Sequence, residues 1–230
     1  MNEPRDSLHT PLFDALLPSS VALEESTPER FGDDLCELTE GEAALMAKAV
    51  AKRRREYTAG RVLARRAAVK LGLGPIEVLP RADRAPQWPE GVVGSITHTR
   101  GHVAVALARA ESFAGLGLDV ERADPLKSRL WDMICTDEDR AMLARYEEPE
   151  RSLMAKIVFS AKEAAYKAQF ALTEQFLGFS AMHIELDLAS ARFLATFRQE
   201  AGDAFRPGDT LIGRFVRTEE LVATAVVIER

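Results

Sequence analysis

The chain has 230 residues, 47% of them hydrophobic, and a formal net charge of −6, so it can bury a core as one large domain or two small ones. The acidity argues against a nucleic-acid-binding protein, and no apolar run approaches the roughly 20 residues that cross a bilayer. Because the N-terminus has no signal-peptide pattern and Cys36 and Cys135 stand apart, we expect a cytoplasmic protein without disulfides.

The first half of the chain predicts a long helix followed by strands. Residues 1–40, rich in Pro, Ser and acids, predict an irregular lead-in with one strand near 21–23. Apolar residues at helical spacing predict a helix over 41–71 that ends at Gly72, with a break near 58–60 because glycine costs about 1 kcal/mol in a helix interior. After a proline-rich loop, the pattern predicts three strands, at 92–97, 102–108 and 114–121.

The second half runs through helices and then strands again. Thr136, with acidic residues after it, predicts a helix start, and an apolar face predicts a second helix over 149–170. Four strands are predicted, at 182–188, 192–198, 211–216 and 221–228. This order predicts an α+β fold of two similar halves, residues 1–112 and 113–230, although no internal sequence repeat proves that the halves are related.

Two carboxylates lie close together in GLGLDVERAD, residues 115–124. On a strand, Asp119 and Glu121 project to one side while Leu118 and Val120 face the core. Such a pair suits a hard cation, which prefers oxygen ligands. By its spacing alone, the segment is also compatible with an ordinary solvated strand end.

A second cluster of charge lies in FSAKEAAYKA, residues 159–168. Glu163 and Lys167 share one face of the predicted helix, and the simplest interpretation is a surface salt bridge. Combined with the strand pair, Glu163 supplies a third carboxylate for Mg²⁺, and Lys162 and Lys167 would offset the charge of a pyrophosphate. Metal, cations and a carboxylate base together indicate chemistry at phosphorus.

Basic residues concentrate on the first predicted helix, which carries eight Lys or Arg between Lys52 and Lys70. We single out Arg53 and Arg61, which lie on roughly one side and could hold a phosphate with forked guanidinium groups. Ser95 and His98 lie near the end of a predicted strand in GVVGSITHTRGH, where His98 could donate to a phosphate. A solvated helix face and a structural histidine are the simpler interpretations.

The pairing of GLGLDVE with FSAKEAAYKA resembles the two signatures of the Sfp-type 4′-phosphopantetheinyl transferases. RRREYTAGRVLAR, the Trp88–Pro89 loop and GVVGSITHTRG are similar to the subgroup typified by the transferase component of enterobactin synthase. The resemblance covers roughly residues 45–170, with the motifs in family order. Leu118 stands where Ile or Val is commoner, a conservative change on the buried side of the strand.

The resemblance implies a monomer of two α+β halves related by a pseudo-twofold axis, with coenzyme A in the cleft between them. It implies transfer of 4′-phosphopantetheine from coenzyme A to a serine of an acyl or peptidyl carrier protein, with Mg²⁺ or Mn²⁺ as cofactor. The implied metal ligands are Asp119, Glu121 and Glu163, with Glu163 also the proton acceptor and Lys167 stabilising the departing 3′,5′-ADP. The implied coenzyme contacts are Arg53, Arg61, Ser95, His98, Lys162 and Lys167, together with another cation for the nucleotide, for which the sequence offers both Arg81 and Arg84.

A Mg²⁺-dependent phosphohydrolase acting on coenzyme A or a related nucleotide is the main competing hypothesis. It would use the same carboxylates but need no protein partner, so release of phosphopantetheine without a carrier would identify it. A non-catalytic relative of the transferases and a purely structural protein are two further hypotheses. We expect the carrier to dock by apolar and basic contacts near residues 136–159.

Overall fold

The computed structural model describes residues 11–230, so the first ten residues of the predicted lead-in lie outside the described part. The elements in chain order are β1 (Ala22–Ser26), α1 (Glu40–Met46), α2 (Ala51–Lys70), β2 (Val92–Thr99), β3 (His102–Arg109), β4 (Phe113–Arg122), α3 (Trp131–Ile134), α4 (Asp137–Leu143), α5 (Glu150–Thr173), β5 (Met182–Asp187), β6 (Arg192–Phe197), β7 (Thr210–Arg217) and β8 (Leu221–Glu229).

Two antiparallel sheets, each covered by one long helix, form the two halves of the molecule. The first sheet has the order β1-β3-β2 and packs against α2; the second has the order β4-β8-β7-β6-β5 and packs against α5. The predicted α+β class is confirmed, and each predicted strand is present to within a few residues. Across the described residues, no helix combines the length and apolar character needed to span a membrane.

The two halves meet where β2 lies beside β4. The Leu118 N–H donates to Ser95 Oγ over 3.0 Å, and the Val120 N–H donates to Thr97 Oγ1 over 3.1 Å. Leu118 and Val120 are buried in a shared core with alanines of β3, as their alternation with Asp119 predicts. Side-chain hydroxyls therefore replace backbone carbonyls along this junction, and the end of β2 is held against the acidic strand.

The first helical region differs from the prediction. The sequence predicts a break at 58–60, but α2 runs unbroken through Gly60, and the interruption falls between α1 and α2 at residues 47–50. Gly60 lies against the sheet, where a Cβ would come within 3.3 Å of the Ile96 methyl. The glycine allows close packing of helix on sheet, and that contact outweighs its unfavourable helix propensity.

The glycines of β4 decide how near α5 approaches the acidic strand. A Cβ on Gly117 would overlap the Ala164 carbonyl, and one on Gly115 would overlap the Ala168 carbonyl. Strand and helix backbones therefore nearly touch at these two positions. This contact places Lys167 beside Asp119.

Candidate active site

Asp119 and Lys167 form the centre of the site. Lys167 Nζ donates to Asp119 Oδ1 over 2.8 Å and to the Leu118 carbonyl oxygen over 2.9 Å. Asp119 is buried, whereas the Lys167 side chain keeps about a quarter of its surface exposed. The ammonium of Lys167 is thus bonded to strand β4 and still reaches solvent.

The second oxygen of Asp119 is held by a buried hydroxyl pair. Ser160 Oγ donates to Asp119 Oδ2 over 2.9 Å, and Thr224 on the neighbouring strand β8 lies 2.9 Å from Ser160 Oγ. Thr224 Oγ1 also donates to the Ser160 carbonyl oxygen. Both carboxylate oxygens are therefore fixed, so the orientation of Asp119 is set by the fold rather than by solvent.

Glu121 lies two residues further along β4 and is paired with a lysine of α5. Its Oε2 is 3.4 Å from Lys156 Nζ, an ammonium that also lies 5.8 Å from the centre of the Phe159 ring. Burial raises the pKa of Glu121, the negative charge of Asp119 raises it further, and Lys156 opposes the shift. Proton uptake by Glu121 is thus easier than at a surface glutamate.

Glu163 completes the acidic trio from α5. Burial is the main cause of its raised pKa; Lys167 lowers that pKa, while Asp119 and Glu121 raise it. The three carboxylates therefore lie within range of one another's charge. Glu163 also lines a small apolar slot of about 130 Å³ with Tyr166.

The carboxylate trio has the donor chemistry of a hard-cation site without being gathered around one point. In residues 11–230, no group of three or more His, Cys, Asp or Glu side chains is close enough together to hold a metal ion. Asp119 and Glu121 are bonded instead to Lys167 and Lys156. The donors nonetheless fit a hard cation, because all three are carboxylates. Burial raises the pKa of Glu121 and Glu163, and the negative charges of the neighbouring carboxylates raise it further.

Lys162, expected to contact a pyrophosphate, has its ammonium bonded to three oxygens inside the protein. Its side chain is only 2% exposed, and Nζ donates to Asp139 Oδ2 over 2.6 Å. It also donates to the carbonyl oxygens of Ile134 (2.7 Å) and Phe179 (2.9 Å). Three oxygens thus satisfy the three N–H groups of the ammonium inside the protein.

A cleft of about 470 Å³ opens between the two halves. One wall comes from the loop before β2 and from β2 itself, including Arg81, Arg84 and Ser95; the other comes from α5, including Lys167 and Tyr166. Trp88 also lines it and packs over Gly94, where a Cβ would meet the Trp88 ring. The cleft therefore lies at the junction of the two halves.

Arg81 and Arg84 both line the cleft but differ in their partners. Arg81 Nη1 is 2.6 Å from Glu174 Oε1 at the end of α5, and Arg81 Nε is 3.4 Å from Asp83. Arg84 has a left-handed backbone with φ of 71°, and within the described part of the chain no ion pair involves it. Arg81 thus ties the two walls together, and the Arg84 charge is the one available to a ligand.

Arg53 and His98 meet at the edge of the first sheet. Arg53 Nη1 lies 3.4 Å from His98 Nε2, and both side chains reach the surface. Desolvation lowers the pKa of His98, and the charges of Arg53 and Lys167 lower it further, although Glu56 opposes them. His98 is consequently neutral near pH 7 in the free protein.

Arg61 is less accessible than its predicted partner Arg53. It is 9% exposed, donates from Nε to the Val78 carbonyl oxygen over 2.8 Å, and stacks 4.0 Å from the centre of the Tyr57 ring. Burial lowers its pKa, and so does the nearby charge of Arg53. The two guanidinium groups are electrostatic neighbours, but only Arg53 faces outward.

Three side chains at the site are not among the residues that the sequence predicts there. Lys156 is two helical turns before Glu163, so its i,i+7 spacing could have revealed it. Ser160 lies within the acidic helix motif, where its link to Asp119 has no sequence signal. Thr224 is placed opposite Asp119 only by the pairing of β4 with β8.

Residues 41–108 match the family model of the 4′-phosphopantetheinyl transferase N-terminal domain. Residues 115–225 match the model of the 4′-phosphopantetheinyl transferase superfamily. The chain is 36% identical over 219 residues to 4′-phosphopantetheinyl transferase Svp of Streptomyces mobaraensis, covering 93% of this chain and 88% of that one. It is 35% identical over 224 residues to 4′-phosphopantetheinyl transferase PptT of Mycobacterium tuberculosis, covering 94% and 98%. Enterobactin synthase component D of Salmonella typhi is 30% identical over 119 residues, covering 51% and 48%.

Proposed function

Because the chain belongs to the 4′-phosphopantetheinyl transferase superfamily, we propose that it transfers the 4′-phosphopantetheine arm of coenzyme A to a serine of an apo acyl or peptidyl carrier protein. The observation that carries the proposal is the placement of Lys167. This lysine is bonded to Asp119 at one side and lines the cleft between the halves at the other. It joins a space for a nucleotide to a cluster of carboxylates.

The reaction is a displacement at phosphorus. The serine oxygen of the carrier attacks the β-phosphorus of coenzyme A, and the bond from that phosphorus to the bridging oxygen of the pyrophosphate breaks. The serine proton passes to Glu163, directly or through a water, and 3′,5′-ADP leaves. In the metal-free protein burial raises the pKa of Glu163, so its carboxylate accepts a proton more readily than a surface carboxylate does.

A divalent cation, Mg²⁺ or Mn²⁺, would be held by Asp119, Glu121 and Glu163. When bound, it stabilises negative charge on the phosphoryl oxygens. Lys156 and Lys167, which pair with two of these carboxylates, supply the counter-charge in its absence. Lys167 also faces the cleft, so it is placed to stabilise charge on the departing nucleotide.

The coenzyme phosphates are assigned to cations at the rim of the cleft. Arg53 and His98 form an exposed pair for the 3′-phosphate end, and the buried Arg61 adds positive charge near Arg53. Ser95 accepts the Leu118 N–H and keeps its own proton as a donor toward the cleft. Between the two loop arginines, we assign the nucleotide contact to Arg84, because Arg81 is already bonded to Glu174.

Each half has a distinct task in this proposal. In the half given by residues 1–112, the loop before β2 and β2 itself supply the coenzyme-binding wall, and in the half given by residues 113–230, β4 and α5 supply the carboxylates and Lys167. Both walls of the cleft come from one chain, so a monomer contains the whole site. The carrier approaches from the side of α3 and α4, where Met133 is 59% exposed and offers an apolar contact.

The test uses purified protein, coenzyme A, Mg²⁺ and a panel of apo-carrier proteins, with intact-mass spectrometry of the carriers. We expect one carrier to gain one phosphopantetheine and 3′,5′-ADP to appear in equal amount. Release of phosphopantetheine without any carrier would instead identify a phosphohydrolase. Metal binding is measured separately by Mn²⁺ electron paramagnetic resonance, where Asp119→Asn should weaken binding at least about tenfold because it removes one charged ligand.

A further inference from the structure

Lys162 belongs to a buried set of contacts in the C-terminal half. Asp139, the third residue of α4, exchanges capping hydrogen bonds with Thr136. Its Oδ1 accepts the Ile184 N–H of β5 over 2.7 Å, and its Oδ2 accepts Lys162 Nζ over 2.6 Å. Lys162 also donates to the Ile134 carbonyl oxygen. One buried ion pair thus connects α3, α4, α5 and β5.

The N-terminal half contains the same arrangement with different residues. Glu42, the third residue of α1, exchanges capping hydrogen bonds with Thr39. It accepts the Val78 N–H over 3.0 Å and pairs with Arg65 Nη1 at 2.9 Å. Arg65 also donates to the Glu37 carbonyl oxygen. Glu42 is fully buried, as Asp139 is in the other half.

The spacing of the two sets is identical. The capping threonine precedes the acid by 3 residues, and the cation follows the acid by 23 residues, in both halves. The segments around the cations read ARRAAVK at 64–70 and AKEAAYK at 161–167. Lys162 therefore occupies the position of Arg65, and Glu163 that of Arg66, in a structural repeat.

The N-terminal copy shows what the buried pair does without a catalytic carboxylate beside it. Arg66 stands where the C-terminal half has Glu163, yet the Arg65–Glu42 pair is kept. The Lys70–Glu24 pair, at 2.8 Å, likewise repeats Lys167–Asp119, but Lys167 lines the cleft. Lys162 is buried and does not line that cleft. Its ammonium therefore corresponds to the Arg65 guanidinium, which holds a buried ion pair.

We propose that Lys162 is a positioning residue, which with Asp139 fixes the wall of the slot holding Glu163, and that its ammonium does not contact the coenzyme phosphates. The slot of about 130 Å³ is lined by Lys162, Glu163, Tyr166, Met182 and residues 176–179. Lys162 bonds the Phe179 carbonyl of that wall directly. The expected effect of Lys162 and Asp139 on the rate of transfer rests on the proposed transferase function. Their expected effect on the order of the slot wall does not.

The experiment compares Asp139→Asn, Lys162→Met, their double variant and Lys162→Arg in the full chain. We expect Asp139→Asn and Lys162→Met each to lower kcat at least about tenfold, the double variant to be no slower than the slower single one, and the calorimetric Kd for coenzyme A to change by less than about twofold. Lys162→Arg should retain most of the rate, since arginine fills the same place in the other half.

Arg65→Met is the matched control, expected to lower the melting temperature while the folded protein keeps its kcat. Weakening of coenzyme A binding by about tenfold or more in Lys162→Met but not in Asp139→Asn would overturn the proposal, because that pattern indicates a phosphate contact. An unchanged kcat in Asp139→Asn would also overturn it. If Lys162→Met does not fold, the kcat values of Asp139→Asn and Lys162→Arg test the proposal in its place.

Failure of the transferase function is recognised separately. If the wild type modifies no carrier, the proposed function falls, and the buried pair is judged by amide hydrogen exchange at Ile184. Faster exchange in Asp139→Asn and in Lys162→Met supports the pair as the support of this wall. Unchanged exchange in both variants overturns it.

Discussion

Lys167 Nζ lies 2.8 Å from Asp119 Oδ1 and 2.9 Å from the carbonyl oxygen of Leu118, so one ammonium clamps both the side chain and the backbone of the acidic strand. The same side chain borders the cleft between the halves. A change at either partner therefore alters the carboxylate cluster and the nucleotide site together, which makes this pair the most informative place to perturb the protein.

Asp119→Asn should lower phosphopantetheine transfer at least about 10²-fold, because it removes a metal ligand and the partner of Lys167. Intact-mass spectrometry of the carrier measures the rate. Glu24→Gln is the matched control, since Lys70 pairs with Glu24 at 2.8 Å in the half without the carboxylate trio. Equal loss of rate in both variants would show that the effect is one of general stability.

Glu163→Gln should abolish most transfer but raise the melting temperature of the metal-free protein near pH 7. The folded-state pKa of Glu163 is raised, mainly by burial, so its ionised form opposes folding. The protonated side chain opposes folding less, and this advantage is lost as pH rises from the ordinary glutamate pKa through the raised pKa of the folded state. The stability gain of Glu163→Gln should therefore shrink as pH falls below that window, as thermal melts in EDTA will show.

Arg53→Gln should raise the KM for coenzyme A about fivefold or more with little change in kcat, because the exposed guanidinium is placed for ground-state binding of a phosphate. Arg55→Gln is the control, since Arg55 on the same helix faces Asp33 at 3.5 Å. Steady-state kinetics at varied coenzyme A distinguish them. A KM that stays at the wild-type value in Arg53→Gln contradicts the assigned phosphate contact.

His98 should make coenzyme A binding dependent on pH. Its pKa is lowered in the free protein, mainly by desolvation, so it is neutral near pH 7, and a bound phosphate would favour its protonated form. We expect the Kd for coenzyme A to fall as pH decreases through the range just below 7, and His98→Gln to lose this dependence. Calorimetry at several pH values measures both, and identical pH profiles would refute the contact.

Gly117→Ala should destabilise the fold by about 1–3 kcal/mol and reduce transfer, because the new methyl overlaps the Ala164 carbonyl and pushes α5 away from β4. Gly74→Ala is the control, as a Cβ there meets nothing within 4 Å. Thermal denaturation and the transfer assay report the two effects. Tolerance of Gly117→Ala at wild-type stability would contradict the close contact of strand and helix.

The residue pattern by itself determined the elements and most of the reactive groups. Alternation along β4 placed Asp119 and Glu121 opposite the buried Leu118 and Val120, and helical spacing placed Glu163 with Lys167. These are local periodicities, which a chain imposes before any long-range contact forms. The motifs that resemble the transferase signatures lie on these same periodic segments.

The tertiary structure alone decided which partners those groups have. Lys162 is a neighbour of Glu163 in the chain, yet it points into the protein toward Asp139, because three oxygens from distant segments converge there. Helix propensity predicts an interruption at Gly60, but the close packing of Gly60 against Ile96 favours an unbroken helix. A buried polar group must find its hydrogen-bond partners wherever packing places them, and spacing along the chain carries no information about that convergence.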